Sequence, residues 1–297
     1  MLLRVRPFRL LRLPNPLLGL YGLLVLGLPL AGLGYALAGS LGLAGPLATG
    51  FTGHYWQELT HDTGLLYAAL YSLWIAVAAV GLSVGLALVL VLRAQPTLRR
   101  SALPALLYVP LVMPSLVVAF YLFQLLSRAG WISRLSFQAG LTSSLAAFPE
   151  LVQDAAGVGI ILAHVLLLFP FITLLFQAIY QESRLDDYRQ LTLTLGASAG
   201  QFRQRVARPV LLRRAAPTLL LSFMATLGAY DIPLLLGRPY PQMLSVFIAT
   251  RLQRFDLREL PAAYLAGFLV AISLLGLIAG LLRLTGQAKA LPLHTTN

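Results

Sequence analysis

A serine between two glycines is the first feature of this sequence that could do covalent chemistry. Residues 81–85 read Gly-Leu-Ser-Val-Gly and match the G-x-S-x-G pattern of serine hydrolases, with Ser83 as nucleophile and His164, in another apolar segment, as a candidate base. In soluble hydrolases this pattern forms a sharp turn between a strand and a helix. Here it lies in mid-helix, where the serine hydroxyl can bond to the preceding turn. The two glycines also form a small-xxx-small pair, as do Gly276 and Gly280, which favours helix packing over catalysis. No catalytic residue is predicted.

Four residues of types that ligate metals follow one another at helical spacing. His54, Glu58, His61 and Asp62 would share one face of a helix at i, i+4, i+7 and i+8, an arrangement that could hold zinc or a hard cation. The set lacks the H-E-x-x-H order of metallopeptidases. An amphipathic helix with the adjacent tyrosine and tryptophan at the lipid headgroups explains the same residues. We favour this second interpretation and predict no metal site.

An acidic residue, Asp231, stands inside an apolar segment in the last third of the chain. An ionised carboxylate is costly in hydrocarbon, so it should face a cavity, a partner or water. Pro233 removes a backbone donor and, with Gly228 and Gly237, predicts an interrupted helix. Tyr230, Asp231 and Pro233 are therefore candidates for a translocation pathway or gate. The alternative is that the span ends earlier and leaves Asp231 at the outer interface.

The single lysine of the sequence bears on whether this chain could use ATP. A phosphate-binding loop of the G-x-x-x-x-G-K-[ST] type requires a lysine, and Lys289 follows Gly-Gln-Ala without the required glycines. The chain therefore cannot itself be a nucleotide-driven motor. There is no cysteine, which excludes disulfides and thiolate chemistry. No cofactor is predicted.

The connection 181–214, between the fourth and fifth apolar segments, is long and carries signals for two short helices. Asp186 or Asp187 is expected to cap a first helix that runs to Leu195, and Gly196 is suited to the left-handed residue that ends it. Most connections between helices are shorter than this. The length and the capping signals therefore predict a structured surface element.

The second helix of this connection is expected to begin with a capping box of Ser198 and Gln201 and to stop or kink at Pro209. We expect the two helices to lie at about a right angle on the cytoplasmic surface. Four apolar side chains in the connection need something to pack against: Leu191, Leu193, Leu195 and Phe202. A bound protein and a lipid surface are both possible partners.

The composition of the whole chain is that of a membrane protein. Of the 297 residues 58% are hydrophobic and 11% charged, against about 25% charged in soluble proteins. A hydrocarbon core of about 30 Å needs about 20 apolar residues per helix. Six runs satisfy this requirement: 17–38, 66–92, 102–126, 156–180, 215–237 and 261–282. We predict an all-α membrane protein with six transmembrane helices, the first a retained anchor because it exceeds a signal-peptide core.

Positive charge is unevenly distributed between the two faces that these spans define. With a cytoplasmic N-terminus, sixteen of the 22 Lys and Arg residues fall on the inner face, which predicts that both termini are cytoplasmic. The net charge of +12 is then a topology signal and a contact with anionic lipid, and nucleic acid is not expected. The predicted organisation is a basic segment, 1–16, a transmembrane domain, 17–285, and a tail, 286–297.

A glycine and a proline stand at a characteristic spacing in the connection 181–214. The pattern E-A-A, three residues, Gly, nine residues, Ile or Val, one residue, Leu, Pro aligns in order with Gln190, Leu191, Thr192, Gly196, Val206, Arg208 and Pro209. The first three of these and Arg208 depart from the pattern, and the spacing from Gly to Pro is intact. The run of Gly196 with Ala197 and Ser198 is also typical. The connection thus resembles the signature of permease subunits of type I ABC importers.

This resemblance covers most of 60–285 and implies a type I importer permease bundle in a bacterial or archaeal cell (inner) membrane. It implies a second permease subunit, identical or not, a pair of cytoplasmic ABC ATPases that dock on the connection, and an extracytoplasmic solute-binding protein. Gly196 and its neighbours would lie in the coupling helix. Segments 104–127 and 231–237 most resemble the polyamine-type (spermidine/putrescine) branch, so a polyamine-like solute is expected.

The sequence therefore predicts the permease subunit of an ATP-driven importer, without enzyme activity of its own. A secondary transporter or channel that uses Asp231 as an ion site is an alternative. Such a protein should have polar groups in several spans, or two sequence halves that are repeats of each other, and neither is evident. An intramembrane hydrolase would require Ser83 and His164 to be in contact.

Overall fold

The computed structural model describes residues 15–46, 48, 50–100, 103–255 and 257–289. Every regular element in these ranges is helical. The α-helices are α1 Asn15–Ser40, α2 His54–Thr60, α3 Thr63–Arg100, α4 Leu103–Val112, α5 Ser115–Leu126, α6 Trp131–Gln138, α7 Val158–Glu182, α8 Leu185–Thr194, α9 Ala199–Phe202, α10 Arg208–Leu227, α11 Asp231–Leu236, α12 Leu244–Leu252 and α13 Leu260–Lys289. Short 3-10 turns cover Leu145–Ala147 and Leu257–Glu259, and a π-helical turn covers Arg203–Ala207.

Six helical segments within the described ranges are long and apolar enough to cross a membrane. They are Gly19–Ser40, Thr63–Gln95, Ser115–Gln138, Val158–Glu182, Ala199–Leu227 and Leu257–Gly280. The prediction of an all-α protein with six spans is confirmed. Most of the predicted basic segment, 1–16, and most of the tail, 286–297, lie outside the described residues, and the cytoplasmic position of both termini stays a prediction.

The third predicted span, 102–126, is wrong as a single helix. The chain forms α4 and α5 with an interruption at Met113 and Pro114, and the candidate span starts at Ser115. Pro114 has no backbone N–H, and its ring disfavours the helical conformation at the residue before it. The interruption is therefore encoded locally, and it leaves Ser115 at the start of a helix.

The fifth predicted span, 215–237, is also displaced. Helix α10 begins at Arg208, ends at Leu227 and is capped at Gly228, and α11 follows as a separate short helix. Reading only apolar residues missed the arginine-rich start of α10. The predicted interruption near Pro233 is confirmed.

The chain divides into two compact parts, of which the first comprises the described residues of Met1–His61 and Arg251–Ala279. Within it, α1 contacts α13 around the ring of Tyr264. This ring stands edge-on to Tyr35, with centroids 5.6 Å apart, and a Cβ atom at Gly39 would come within 2.7 Å of the ring. The missing side chain at Gly39 thus allows the two helices to approach closely.

The second part comprises the described residues of Asp62–Thr250 and Gly280–Asn297, and α3 and α7 run through its two apolar cores. The first core consists of Tyr71, Ile75, Ala79, Val118, Ala119, Leu122, Leu126, Ile160, Ile161, Ala163, Ile232, Leu236 and Met243. The second consists of Ala87, Leu88, Val91, Ile172, Phe176, Ile179, Tyr180, Leu185, Phe202, Ala207, Leu211 and Ala215. The first core holds α11 and the second holds the connection between α7 and α10.

Candidate translocation pathway and coupling loop

Two interrupted helices meet through a hydrogen bond between Ser115 and Asp231. The Ser115 hydroxyl donates to Oδ2 of Asp231 at 2.8 Å. Each residue is the first of its helix, because the chain is broken at Pro114 before α5 and around Gly228 before α11. A carboxylate at a helix N-terminus interacts favourably with the helix dipole, so Asp231 is stabilised by the start of α5 as well as of its own helix.

Helix α11 is held firmly although it is only six residues long. Ile232 and Leu236 are 2% and 1% exposed in the first core. The Leu236 carbonyl accepts a hydrogen bond from the backbone N–H of Gln153 at 2.8 Å. These contacts fix the position of Asp231 at the opposite end of the helix.

Asp231 borders a cavity of about 280 Å³. Its polar wall consists of Ser115, His164, Thr226, Tyr230 and Asp231, and the rest of its lining is apolar. A carboxylate is exposed in this otherwise largely apolar space, where its charge acts more strongly than in water. The cavity therefore favours a positively charged group and disfavours an anion.

Two of the three predicted pathway residues line this cavity. Tyr230 and Asp231 line the cavity. Pro233 is buried within α11 and is not part of the cavity lining. Ser115 was missed by the sequence reasoning. The signal was present: a hydroxyl residue directly after a proline within an apolar segment is placed at a helix start, with its side chain free to bond.

The serine-hydrolase hypothesis receives no support from the geometry. The Ser83 hydroxyl donates to the Ala79 carbonyl at 2.7 Å, as expected for a serine in mid-helix, and Nδ1 of His164 bonds to the Ile160 carbonyl at 2.9 Å. Each group is thus used by its own helix. Gly81 has no atom near its missing Cβ position, so the close helix packing expected there is not made within this chain.

The predicted single helical face of His54, Glu58, His61 and Asp62 is wrong. Helix α2 ends at Thr60, before the last two residues. Asp62 instead accepts a hydrogen bond from the N–H of Leu65 at 3.2 Å at the start of α3. Within the ranges that the structure describes, no three His, Asp or Glu side chains form a group that could hold a metal ion.

The first helix of the connection 181–214, α8, begins differently from the prediction. Its N-cap is Arg184, with φ 50°, and Asp186 and Asp187 lie in the first turn. The Tyr180 hydroxyl donates to Asp186 at 3.2 Å, and Arg184 pairs with Asp187 at 2.8 Å. The expected aspartate cap is therefore wrong, because both carboxylates have partners elsewhere and the helix dipole favours them within the first turn.

The end of α8 follows the prediction closely. Gly196 has φ +81°, and its N–H bonds to the Leu193 carbonyl at 3.0 Å, while the N–H of Ala197 bonds to the Thr192 carbonyl at 3.1 Å. These two bonds form a Schellman motif, which requires a left-handed residue and so favours glycine. The direction in which the chain leaves α8 is thereby fixed.

The start of α9 carries the predicted capping box. The Ser198 N–H donates to Oε1 of Gln201 at 2.8 Å, and the Gln201 N–H donates to Oγ of Ser198 at 3.2 Å. Because the Schellman motif ends at Ala197 and the box begins at Ser198, the turn between the helices has hydrogen bonds on both sides. The connection is therefore an ordered element.

The helix does not stop at Pro209, which was one of the two predicted outcomes, and it departs from regular α-helix directly before the proline. The chain passes from α9 through the π-helical turn Arg203–Ala207 into α10, and the Arg208 N–H bonds to the carbonyl of Arg203, five residues back. A proline lacks a donor and crowds the carbonyl four residues before it. A widened turn directly before Pro209 relieves this conflict while the helix continues.

The connection presents apolar side chains outward and anchors others inward. Tyr188 and Leu191 on α8 and Leu195 at its C-cap are 53%, 57% and 78% exposed. By contrast, Leu185 and Phe202 are 1% and 2% exposed and belong to the second core. Of the four side chains expected to need a partner, Phe202 packs within the chain. The three leucines stay exposed and form an apolar surface of the kind that marks an interaction site.

The predicted coupling residues occupy successive parts of this element. Gln190, Leu191 and Thr192 lie in α8, Gly196 and Ala197 in the turn, Ser198 at the cap of α9, Val206 in the π-helical turn and Pro209 in α10. Their role in coupling stays a prediction.

The comparison with known families decides what kind of protein this is. Residues 79–288 match the family described as binding-protein-dependent transport system inner membrane component. The chain belongs to this family. It is therefore a type I ABC importer permease, as the Gly-to-Pro spacing predicted.

Proteins that this chain is similar to include thiamine and sulfate transport permeases. The permease is 31% identical to the thiamine transport system permease protein of Escherichia coli over 75% of this chain and 40% of that protein. It is 32% identical to that of Brucella suis over 88% and 46%. It is 29% identical to the sulfate transport system permease protein of Synechocystis over 91% and 88%. The chain thus spans less than half the length of these two thiamine permeases, and nothing in the comparisons singles out the polyamine-type branch.

Solved structures share the fold of this permease. A bacterial ABC transporter involved in the import of the acidic polysaccharide alginate has a TM-score of 0.68 at 17% identity, covering 92% of this chain and 93% of that one. The same kind of transporter in complex with its alginate-bound periplasmic protein has a TM-score of 0.65 at 16% identity, over 93% and 94%.

Proposed function

We propose that this permease forms the pathway by which a small organic cation enters the cell, driven by ATP hydrolysis in a separate pair of subunits. The observation that carries the choice of solute is the Asp231 carboxylate on the wall of the largely apolar cavity. A cation is drawn to such a group, and an aromatic neighbour such as Tyr230 adds a favourable face for it.

The solutes named for the similar proteins differ in the sign of their charge. Thiamine carries a permanent positive charge, and the polyamines expected from the sequence are cations as well. Sulfate and alginate are anions, and Asp231 would repel them. A thiamine-like or other cationic solute is therefore the favoured substrate class, and the resemblance to thiamine permeases supports it.

Coupling to ATP hydrolysis is assigned to the connection between α7 and α10. Its exposed leucines on α8 offer an apolar surface for an ATPase subunit, and its buried Leu185 and Phe202 join that surface to α3 and α7. Because the chain has no phosphate-binding loop, the nucleotide sites belong to the partner. A second permease subunit and an extracytoplasmic solute-binding protein complete the assembly that the family implies.

The Ser115–Asp231 bond is proposed as part of the gate. Alternating access requires an element with two discrete arrangements. The starts of α5 and α11 are joined by this one hydrogen bond, so breaking it would let the two helices separate. A cation that replaces the Ser115 hydroxyl at Asp231 would favour the separated arrangement.

The solute assignment is tested with the complete transporter, purified through a tag on this chain and reconstituted with its binding protein. Uptake of labelled thiamine, spermidine and sulfate into vesicles is measured with ATP enclosed on the ATPase side. We expect uptake of a cation and none of sulfate. Uptake of sulfate alone would refute the cation assignment and leave the importer function standing.

A further inference from the structure

A buried polar side chain without a partner lies at the end of α3 that faces the connection. The side chain of Gln95 is 6% exposed, and neither Nε2 nor Oε1 has a hydrogen-bond partner. It follows Ala94, where φ −112° and ψ 20° depart from the helix. Burying an amide with both groups unpaired is unfavourable, so a bound group that both accepts and donates would stabilise this position.

The space beside Gln95 is a cavity of about 110 Å³. Three arginines line it: Arg93, Arg189 and Arg203. No ion pair joins any of them to a carboxylate of the described residues. Arg93 and Arg189 are exposed and Arg203 is partly buried, and three guanidinium groups around one cavity give it a positive potential that attracts an anion.

These observations define the chemistry of a group that could bind there. Guanidinium groups bind phosphate oxygens through paired N–H donors. The Gln95 amide adds one donor and one acceptor, so it matches a phosphate that also carries a hydroxyl, either on phosphorus or on an attached glycerol. A bare anion without a hydroxyl would leave Oε1 unpaired.

We propose that this cavity is a binding site for a phosphate-type oxyanion, held by Arg93, Arg189 and Arg203 and oriented by Gln95. The three arginines belong to α3, α8 and the π-helical turn. An occupied site would therefore tie both sides of the connection to α3. This inference goes beyond the proposed transport function and does not depend on it.

A neighbouring groove favours the phosphate of a membrane lipid over free phosphate. The groove has a volume of about 410 Å³ and shares Leu92, Arg93 and Arg203 with the cavity. Its continuation is walled by Gly85, Leu88 and Val89, and no atom lies near the missing Cβ of Gly85. An acyl chain could lie along these residues while its headgroup phosphate occupies the cavity.

The first test uses the full chain in detergent and inorganic phosphate as the probe. The thermal unfolding midpoint is measured against phosphate concentration at constant ionic strength, balanced with chloride. We expect the midpoint to rise with phosphate, and Arg93→Gln and Arg203→Gln each to raise the half-saturating concentration about tenfold. Arg213→Gln removes the same charge from an exposed arginine that does not line the cavity, and it should leave the response unchanged.

The second test distinguishes a lipid from free phosphate. The chain is placed in nanodiscs of phosphatidylcholine containing a minor fraction of phosphatidylglycerol, released, and examined by native mass spectrometry. Retention of one phosphatidylglycerol by the wild type and by Arg213→Gln, but not by Arg203→Gln, would support the site with a lipid as its source. A phosphate response without retained phosphatidylglycerol would support the site with free phosphate as its source.

Two substitutions at Gln95 keep the proposal testable even if arginine variants fold poorly. Gln95→Glu places a carboxylate among the arginines, so it should raise the unfolding midpoint without phosphate and abolish the phosphate response. Gln95→Leu removes the unpaired amide and should also weaken the response. The proposal is overturned if neither phosphate nor phosphatidylglycerol has an effect, or if Arg213→Gln weakens binding as much as Arg203→Gln.

Discussion

Ser115 and Asp231, 116 positions apart in the sequence, are joined by a 2.8 Å hydrogen bond at the starts of two interrupted helices. Discontinuous helices are the usual way in which a transporter brings polar groups to an apolar interior, because the freed backbone and the side chains at the break line a cavity. The helix breaks at Pro114 and at Gly228 thus bring Ser115 and Asp231 together at the proposed gate.

The charge of Asp231 is expected to determine which solutes pass. Asp231→Asn keeps the shape and the bond to Ser115 but removes the charge, so cation uptake should fall about tenfold or more. Uptake by the reconstituted transporter is the measurement. Glu150→Gln, which changes an exposed carboxylate paired with Arg128, is the matched control and should leave uptake unchanged. Equal uptake by Asp231→Asn and wild type would exclude the carboxylate from the pathway.

The conformation of Gly196 is expected to be essential for coupling. A β-branched residue at φ +81° is strained by about 1–2 kcal/mol, so Gly196→Val should impair stimulation of the ATPase while the protein still inserts into the membrane. Gly196→Asn should retain more activity, because asparagine tolerates this conformation.

The control for this prediction is Gly200→Ala, since only the Ser198 hydroxyl, at 3.7 Å, lies near the missing Cβ of Gly200. Membrane content and ATPase activity are measured for all three variants. Failure of Gly196→Val to insert would argue for a folding role of Gly196 in place of a coupling role.

The exposed apolar side chains of α8 and of its C-cap residue Leu195 are expected to bind the ATPase. Leu195 is 78% exposed, so Leu195→Asp should change stability by no more than about 0.5 kcal/mol while it greatly reduces co-purification of the ATPase. Leu141→Asp places the same charge at an equally exposed leucine in another loop, 79% exposed, and serves as the control. Unchanged co-purification with Leu195→Asp would refute the docking surface.

Phe202 is expected to act as the internal anchor of the same element. It is 2% exposed in the second core, and truncation of a buried phenylalanine costs about 3–5 kcal/mol. Phe202→Ala should therefore lower the thermal unfolding midpoint strongly, whereas Leu195→Ala should leave it near the wild-type value. Similar midpoints for the two variants would show that the connection is not anchored through Phe202.

Ser83 is expected to be dispensable for transport. Its hydroxyl bonds to the Ala79 carbonyl of its own helix at 2.7 Å, so Ser83→Ala removes a local bond without leaving a donor unpaired. Uptake and ATPase activity should match the wild type. A large loss of activity with normal protein levels would reopen a chemical role for this serine.

Much of this architecture could be predicted from the sequence because it depends on local signals. The left-handed Gly196 and the capping box of Ser198 are determined by residues within one helical turn, and the structure has both. The six spans follow from the length of apolar runs. The family signature depends on a spacing along the chain, which survives the departures at Gln190 and Arg208.

What could not be predicted depends on contacts between distant segments. No local pattern pairs Ser115 with Asp231, and no pattern places Gln95 among arginines from three different elements. The form of the helix at Pro209 is a related case. The sequence indicates that the proline disrupts a regular helix, but it does not show the π-helical turn that lets the helix continue, next to Phe202 and Ala207 in the second core.

The most direct test of the central claim is mild-detergent purification of this chain from its native membrane, with mass spectrometry of stoichiometric partners and an ATPase assay on the product. The account predicts an ATPase subunit that is retained by the wild type and by Leu141→Asp and lost from Leu195→Asp. Purification of the chain without an ATPase, even after crosslinking in the membrane, would contradict it.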